Sequence, residues 1–301
     1  MNRSCLNHLL TETEREQFAK NGYLIIENAL TPETLDICLA AVDRIDLQIR
    51  KELNYELDKR INVHDCIGKE TDLLQLIDLP TTFPKVWGLM GWNIYLFHTQ
   101  MVVSPPTGNS SSSPKRLSWH QDQNRSNGDL DTEGLPVNPM LSLKIAYFLT
   151  DTTEMGVANF YIAPGQQERN KIVFSKKDPE QPINAMPMQV PAGTAVLFDR
   201  RLWHASSPNY LDQSRKVLFY GYAYRWIRPK CIMDVDDLRQ KTTPIRRQLL
   251  GATGSQDGYY LPSEGDVPFD VPGYREIVGK SLLGAIDDNV GIDNRPGSCR
   301  T

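Results

Sequence analysis

Residues 193–209 read GTAVLFDRRLWHASSPN, and residues 214–222 read SRKVLFYGY. Each stretch contains a short β-branched and aromatic run, and Gly, Pro, Asn or Ser lies at its borders, which is typical of a β-strand. Similar runs occur at 93–103, 141–150 and 158–163. Several short strands in succession predict an antiparallel sandwich or barrel between about residues 94 and 226.

Helices are predicted before and after this β region. Thr11 and Glu14 form a capping box, and Thr31 followed by Pro32 is a second helix start. Apolar residues at helical spacing extend the second helix to about residue 53. A basic helical piece is predicted near 236–250. The sequence therefore predicts a mainly β fold with flanking helices in one domain.

Composition restricts the class of protein. Of the 301 residues, 40% are hydrophobic and 23% charged, and the formal net charge is −4, which argues against a sequence-independent nucleic-acid binder. No apolar run is long enough to span a bilayer, and the N-terminus does not resemble a signal peptide. The five cysteines are scattered and include no C-x-x-C pair, which predicts free thiols and a cytoplasmic location. These cysteines are Cys5, Cys38, Cys66, Cys231 and Cys299.

Two of the five histidines belong to a candidate metal site. His120 and Asp122, in LSWHQDQNR (117–125), are two residues apart, so their side chains point to the same side of a strand. Alone, this pair could equally be an ordinary polar strand end. His204 follows an apolar strand, at a position that can reach a barrel mouth. Two imidazoles and one carboxylate would form the facial triad of non-haem Fe(II) oxygenases.

Arg215 opens the strand after His204. A hairpin would bring this arginine beside the strand that carries His204. It is a candidate carboxylate clamp, because guanidinium binds carboxylate bidentately, although an arginine at such a position is often a surface charge. Two other classes stay open: a binding jelly roll with structural histidines, and a zinc hydrolase, which usually needs a third histidine or a cysteine ligand.

The order and spacing of several motifs resemble those of the phytanoyl-CoA dioxygenase (PhyH-like) family of Fe(II)/2-oxoglutarate-dependent oxygenases. The motifs are SWHQD (118–122), AYFLTDTTEMGVANFYIAPGQQ (146–167) and the two stretches quoted first, and the resemblance covers roughly residues 15–225. It implies a double-stranded β-helix (jelly roll) core at about 94–226. An N-terminal helical part at about 1–93 and an irregular or helical extension at 227–301 complete a single domain, 1–301.

The resemblance also implies roles for individual residues. His120, Asp122 and His204 would ligate Fe(II). Arg215 would pair with the distal carboxylate of 2-oxoglutarate, and Ser206 would support it. The carboxylate of Asp122 argues against halogenation, because similar halogenases leave that ligand position open.

Further residues are weaker candidates. Leu96, His98 and Gln100 share one strand face by alternation, and His98 or Gln100 would touch co-substrate or substrate, or else be a satisfied polar group in the barrel. Lys144 would contact substrate or face solvent. Arg125 and Asp129 lie in a long polar segment, 123–139, that is interpreted as a lid over the substrate.

The predicted reaction is oxidation, chiefly hydroxylation, of a C–H bond in a small molecule, with release of succinate and CO2. A secondary metabolite is the preferred substrate, and no nucleic-acid or membrane partner is expected. Desaturation, epoxidation and ring formation stay open, as does a non-catalytic ligand-binding jelly roll. Oligomeric state is not readable from this sequence.

Overall fold

The computed structural model describes residues 3–107, 116–122 and 139–252. Arg125 and Asp129, predicted in the lid, lie outside the described residues, as does the tail from residue 253. The helices are α1 (Glu12–Asn21), α2 (Pro32–Leu53), α3 (Cys66–Lys69), α4 (Phe83–Met90), α5 (Asp236–Lys241) and α6 (Pro244–Leu249), with 3₁₀ segments at Arg3–His8 and Thr71–Leu76. The strands are β1 (Tyr23–Ile26), β2 (Ile61–His64), β3 (Ile94–Ser104), β4 (Ser142–Phe148), β5 (Phe160–Ile162), β6 (Met186–Met188), β7 (Ala195–Asp199), β8 (His204–Ser206) and β9 (Arg215–Tyr224).

Two antiparallel sheets form the core. The larger has the order β1-β7-β4-β9-β3-β2, and the smaller has the order β6-β5-β8. This arrangement confirms the predicted mainly β fold with flanking helices. β1 and β2 are edge strands of the larger sheet, so the N-terminal part before residue 94 also contributes to it.

The larger sheet has one face toward the helices and one toward the smaller sheet. Alternation along each strand separates the two sets of side chains. On β9, Leu218, Tyr220 and Tyr222 pack in the cluster shared with the helices, whereas Val217 and Phe219 pack with residues of β5. The interior between the sheets is therefore lined by every second residue of β4, β7 and β9.

The predicted helix starts are confirmed. Thr11 and Glu14 exchange both hydrogen bonds of a capping box at α1, and Thr31 caps α2 with Pro32 in its first turn. The second helix ends at Leu53, where the apolar spacing predicted its end. The four described cysteines are free thiols. In the described part of the chain, no helix has the length and apolar character needed to cross a membrane.

Strand β3 departs from simple alternation. Its register with β9 shifts between Leu96 and His98, so the strand contains a β-bulge. Leu96 packs in the cluster on the helical side, whereas Lys144, an interior residue, lies against Gln100. The prediction that Leu96 shares a face with His98 and Gln100 was therefore wrong, because one extra residue reverses the faces.

Two buried tyrosines attach the segment around residues 71–77 to the larger sheet. The hydroxyl of Tyr220 donates to the carbonyl of Leu73 at 2.6 Å, and that of Tyr222 donates to Ile77 at 2.7 Å. Both tyrosine side chains are fully buried. Loss of either hydroxyl would leave a buried carbonyl without this donor. That loss lowers the free energy of unfolding more than the loss of a solvent-exposed hydrogen bond does.

We expect Tyr220→Phe and Tyr222→Phe each to lower the free energy of unfolding by about 1–1.5 kcal/mol. Urea unfolding of each variant measures the change. Tyr55→Phe is the matched control, because Tyr55 is 45% exposed, and it should change the free energy by no more than a few tenths of a kcal/mol. Equal stability of all three variants would contradict the proposed attachment.

Candidate metal centre and co-substrate site

Backbone pairing brings the two predicted metal-ligating histidines together. The amide of His120 donates to the carbonyl of His204 at 3.0 Å, and the amide of His204 donates back at 2.9 Å. Their ring centroids are 4.3 Å apart. The amide of Asp122 donates to the carbonyl of Arg200 at 2.9 Å, which continues the pairing. The short H-x-D segment is thus joined to the chain that leads into β8.

The three predicted ligands converge on one point. One nitrogen from each of His120 and His204 and one oxygen from Asp122 lie within 4.8 Å of one another. It is the one such group of three or more histidine, cysteine, aspartate or glutamate side chains that the described ranges contain. Two imidazoles and a carboxylate suit a non-haem iron site, and the described residues supply no third histidine or cysteine for a zinc hydrolase.

Each imidazole is oriented by a carbonyl two residues earlier. Nδ1 of His204 lies 2.8 Å from the oxygen of Leu202, and Nδ1 of His120 lies 3.1 Å from that of Ser118. A hydrogen bond at Nδ1 leaves Nε2 to face a metal. Nε2 of His204 lies 3.7 Å from Oδ2 of Asp122.

His204 is enclosed by apolar rings. Phe160 and Phe198 each have their ring centroid 5.4 Å from the His204 ring. Burial lowers the pKa of His204 to about 4, although Asp122 opposes the shift. The imidazole is therefore neutral at pH 7, which is the form that binds a metal.

Lys144 forms an ion pair with the carboxylate ligand. Its Nζ lies 2.6 Å from Oδ2 of Asp122 and 3.4 Å from Oε1 of Gln100. Burial by itself raises the pKa of Asp122, but Lys144, followed by His204 and Arg200, holds this pKa well below its usual value. Burial lowers the pKa of Lys144 to about 8. The lysine is 3% exposed, so the alternative that it faces solvent was wrong.

Arg215 reaches across the interior from β9. It is 1% exposed, and its Nη1 donates to the carbonyl of Ala158 at 2.7 Å, next to β5 in the opposite sheet. β8 and β9 belong to different sheets, so the predicted hairpin between His204 and Arg215 was wrong. Arg215 and His204 instead lie on opposite sheets, and both contact the segment around β5: Arg215 bonds Ala158, and Phe160 contacts the His204 ring.

The guanidinium of Arg215 is incompletely paired. Its Nε is buried and has no hydrogen-bond partner in the described part of the chain. Burial, followed by the charge of Arg60, lowers the pKa of Arg215 to about 9, so the group is still charged at pH 7. A buried cation with an unused donor fits an anionic ligand such as the distal carboxylate of 2-oxoglutarate.

The weaker candidates differ in their surroundings. Ser206 lies on β8 and is exposed, and no hydrogen bond between it and Arg215 is observed within the described ranges. Gln100 donates to Oδ1 of Asn62 at 2.7 Å and accepts from Lys144, so it is a satisfied polar group. His98 is fully buried, and neither ring nitrogen has a hydrogen-bond partner among the described residues.

His98 lies at the bulge, close to the metal ligands. Burial, and then the charge of Lys144, lowers its pKa well below the usual value, so the ring is neutral. A side chain at position 221 would collide with this ring, so Gly221 is required opposite it. A neutral imidazole offers one donor and one acceptor, and both stay available to a bound molecule.

Two residues that sequence reasoning missed also belong to the site. Arg200 is 2% exposed, and its Nε lies 3.9 Å from Oδ2 of Asp122. Nζ of Lys230 lies 3.9 Å from Oδ1 of the same carboxylate. The pair Arg200-Arg201 gave no signal of which arginine turns inward, and Lys230 lies far from the motifs in sequence.

Comparisons with known proteins agree with the geometry. A family model for phytanoyl-CoA dioxygenase (PhyH) matches residues 18–217, which is well over half of the chain. The protein named dioxygenase af480 from Aspergillus fumigatus is 28% identical over 149 residues, which are 48% of this chain and 46% of that protein. The human peroxisomal phytanoyl-CoA dioxygenase is 20% identical over 245 residues, which are 72% of this chain and 69% of that one. This chain thus spans about half the length of the fungal protein.

Solved structures share the fold. SnoK, a non-haem α-ketoglutarate-dependent carbocyclase from nogalamycin biosynthesis, has a TM-score of 0.55 and 17% identity, covering 78% of this chain and 91% of its own. HygX from Streptomyces hygroscopicus, solved with nickel and 2-oxoglutarate, has a TM-score of 0.59 and 14% identity, covering 77% and 94%.

At such identities the structural likeness establishes the fold, whereas the family match covers the whole predicted site. It includes His120, Asp122, His204 and Arg215 in the order that the resemblance implied. The chain therefore belongs to the phytanoyl-CoA dioxygenase family, a family of iron- and 2-oxoglutarate-dependent dioxygenases.

Proposed function

We propose that His120, Asp122 and His204 hold Fe(II), that Arg215 binds 2-oxoglutarate, and that the enzyme oxidises a C–H bond of a small molecule with release of succinate and CO2. The convergence of the three ligand atoms within 4.8 Å carries this proposal. The buried guanidinium of Arg215, with an unused Nε, supports the co-substrate assignment.

The protein contributes geometry, charge and a dry interior. Iron with 2-oxoglutarate supplies the oxidising chemistry. The carbonyls of Leu202 and Ser118 orient the two imidazoles, and Lys144 keeps Asp122 ionised and in place. Phe160 and Phe198 exclude water beside His204.

Hydroxylation is the proposed outcome. Desaturation, epoxidation or ring formation would use the same residues, because the position of the substrate radical decides among them. The similar structure SnoK is named as a carbocyclase from nogalamycin biosynthesis, which supports a secondary-metabolite substrate. We further propose that one domain carries this activity; a cytoplasmic location stays a prediction.

A non-catalytic ligand-binding jelly roll is the rival of another class. Histidines with a purely structural role would be expected to use both ring nitrogens within the protein. Instead, His120 and His204 each bond a carbonyl through Nδ1 and converge with Asp122. Succinate formation that depends on Fe(II) and O2 separates the two classes.

We expect His204→Ala to abolish the weak visible charge-transfer band of the Fe(II)–2-oxoglutarate chelate. The substitution removes one of the two imidazole ligands, so the site loses its affinity for Fe(II). Anaerobic titration of the metal-free protein measures the band. His8→Ala is the matched control, because His8 lies in the N-terminal 3₁₀ segment, and it should leave the band intact. A band of full intensity in His204→Ala would refute the ligand assignment.

We expect Arg215→Met to weaken 2-oxoglutarate binding by about tenfold to a hundredfold, since a charge-assisted hydrogen bond contributes about 1.5–3 kcal/mol. Titration of the chelate band with 2-oxoglutarate measures the dissociation constant. Lys216→Met is the control, because Lys216 points to the opposite side of β9 and pairs with Asp43 on α2. Equal effects of the two substitutions would mean that Arg215 is not the clamp.

A further inference from the structure

Three cations surround the single carboxylate of the metal site. Lys144, Arg200 and Lys230 come from three separate parts of the chain, and we call them the cationic cluster. Lys144 lies 2.6 Å from Asp122, whereas the nearest side-chain nitrogens of Arg200 and Lys230 lie 3.9 Å from its oxygens. Of the three cations, only Lys144 lies within hydrogen-bond distance of the Asp122 side-chain oxygens, and the other two lie beyond that distance.

Arg200 is buried with two unused donors. It is 2% exposed, and its Nη2 donates to the backbone carbonyl of Asp122 at 3.2 Å. Its Nε and Nη1 have no hydrogen-bond partner in the described part of the chain. The guanidinium carbon lies 4.5 Å from the centre of the Phe97 ring, so the aromatic face holds this side chain in place. Unused buried donors on a fixed guanidinium are costly unless a ligand accepts from them.

Lys230 is more accessible than Arg200. Its side chain is 38% exposed, and its backbone amide donates to the carbonyl of Phe97 at 3.0 Å. The same strand residue, Phe97, therefore positions both cations, one through its ring and one through its carbonyl. Lys230 lies at the solvent side of the cluster and Arg200 at its buried end.

The local charges do not balance. Within the described ranges, the only ion pairs of Arg200 and Lys230 are those with Asp122, which Lys144 already neutralises. Iron at this carboxylate would add positive charge. Under the function proposed above, one carboxylate of 2-oxoglutarate is taken by Arg215 and the other by iron. Among the described residues, two cations of the cluster are thus left without an anion.

We infer that the substrate carries a carboxylate, which Arg200 and Lys230 bind beside the metal site. The inference rests on the proposed function and adds the substrate's chemical class to it. Guanidinium is well suited to a planar carboxylate. Tyr95, Phe97 and Ala223 form a buried apolar cluster at this end of β3 and β9, so the carbon skeleton would pack against apolar side chains.

The probes for this site are phenylacetate and its neutral counterpart phenylacetamide. Ligand-observed NMR on the metal-free protein measures their binding without any contribution from iron. We expect the acid to bind and the amide to bind at least tenfold more weakly. Arg200→Gln should weaken acid binding by about tenfold to a hundredfold, because it removes a charge-assisted hydrogen bond. Equal binding of acid and amide would overturn the inference.

Matched variants distinguish binding at the cationic cluster from a general effect of positive charge on acid binding. Arg228→Gln removes one positive charge from an exposed position two residues before Lys230, and it should leave acid binding unchanged. Lys230→Gln changes a partly exposed side chain and should weaken acid binding. It therefore tests the cationic cluster even if Arg200→Gln folds poorly. If Arg228→Gln weakened acid binding as much as Lys230→Gln does, the inference would be overturned.

Titration of the Fe(II)-loaded protein with 2-oxoglutarate distinguishes substrate from co-substrate. We expect Arg200→Gln to leave the dissociation constant of 2-oxoglutarate within about threefold of the wild type, in contrast to Arg215→Met. If Arg200→Gln weakened 2-oxoglutarate binding as much as Arg215→Met does, Arg200 would be assigned to the co-substrate and the inference would be overturned. If the wild type forms no chelate band, the proposed function fails, and the NMR result still shows whether the cluster selects a carboxylate.

Discussion

The paired backbone hydrogen bonds between His120 and His204 are the constraint on which the site depends. They join a short segment with little other secondary structure to the strand of the smaller sheet that carries the second histidine. With the bond from Asp122 to Arg200, they bring three ligand atoms within 4.8 Å of one another. The geometry of the site is therefore held by backbone hydrogen bonds between segments that are distant in sequence.

Charge is the second organising feature. The interior between the sheets is apolar on most strands, yet Lys144, Arg200 and Arg215 are buried in it. A buried cation is stable only with a partner, and Asp122 serves Lys144 alone at hydrogen-bond distance. Within the described ranges, Arg200 and Arg215 retain unused donors. These donors are the physical basis for the proposals that Arg215 binds the co-substrate and that Arg200 binds a carboxylate of the substrate.

Local sequence signals predicted most of the architecture and the site. The capping box at Thr11, the Thr31-Pro32 start and the β-branched runs each depend on neighbouring residues, and each appears where it was expected. Two predictions failed because they needed pairing information. The bulge in β3 places Leu96 on the side of the sheet that faces the helices. β8 and β9 belong to different sheets, so the chain crosses between sheets where a hairpin was predicted.

The sequence alone determined the ligand types, their order and spacing, and hence the family, since these depend on residue identity along the chain. Only the tertiary structure decided which charges are buried and which are paired. Lys144 could have faced solvent, and nothing in Arg200-Arg201 distinguished the arginine that turns inward. Burial and pairing arise from contacts between segments far apart in sequence, such as residues 97, 122, 200 and 230, so the cationic cluster becomes visible only in the folded chain.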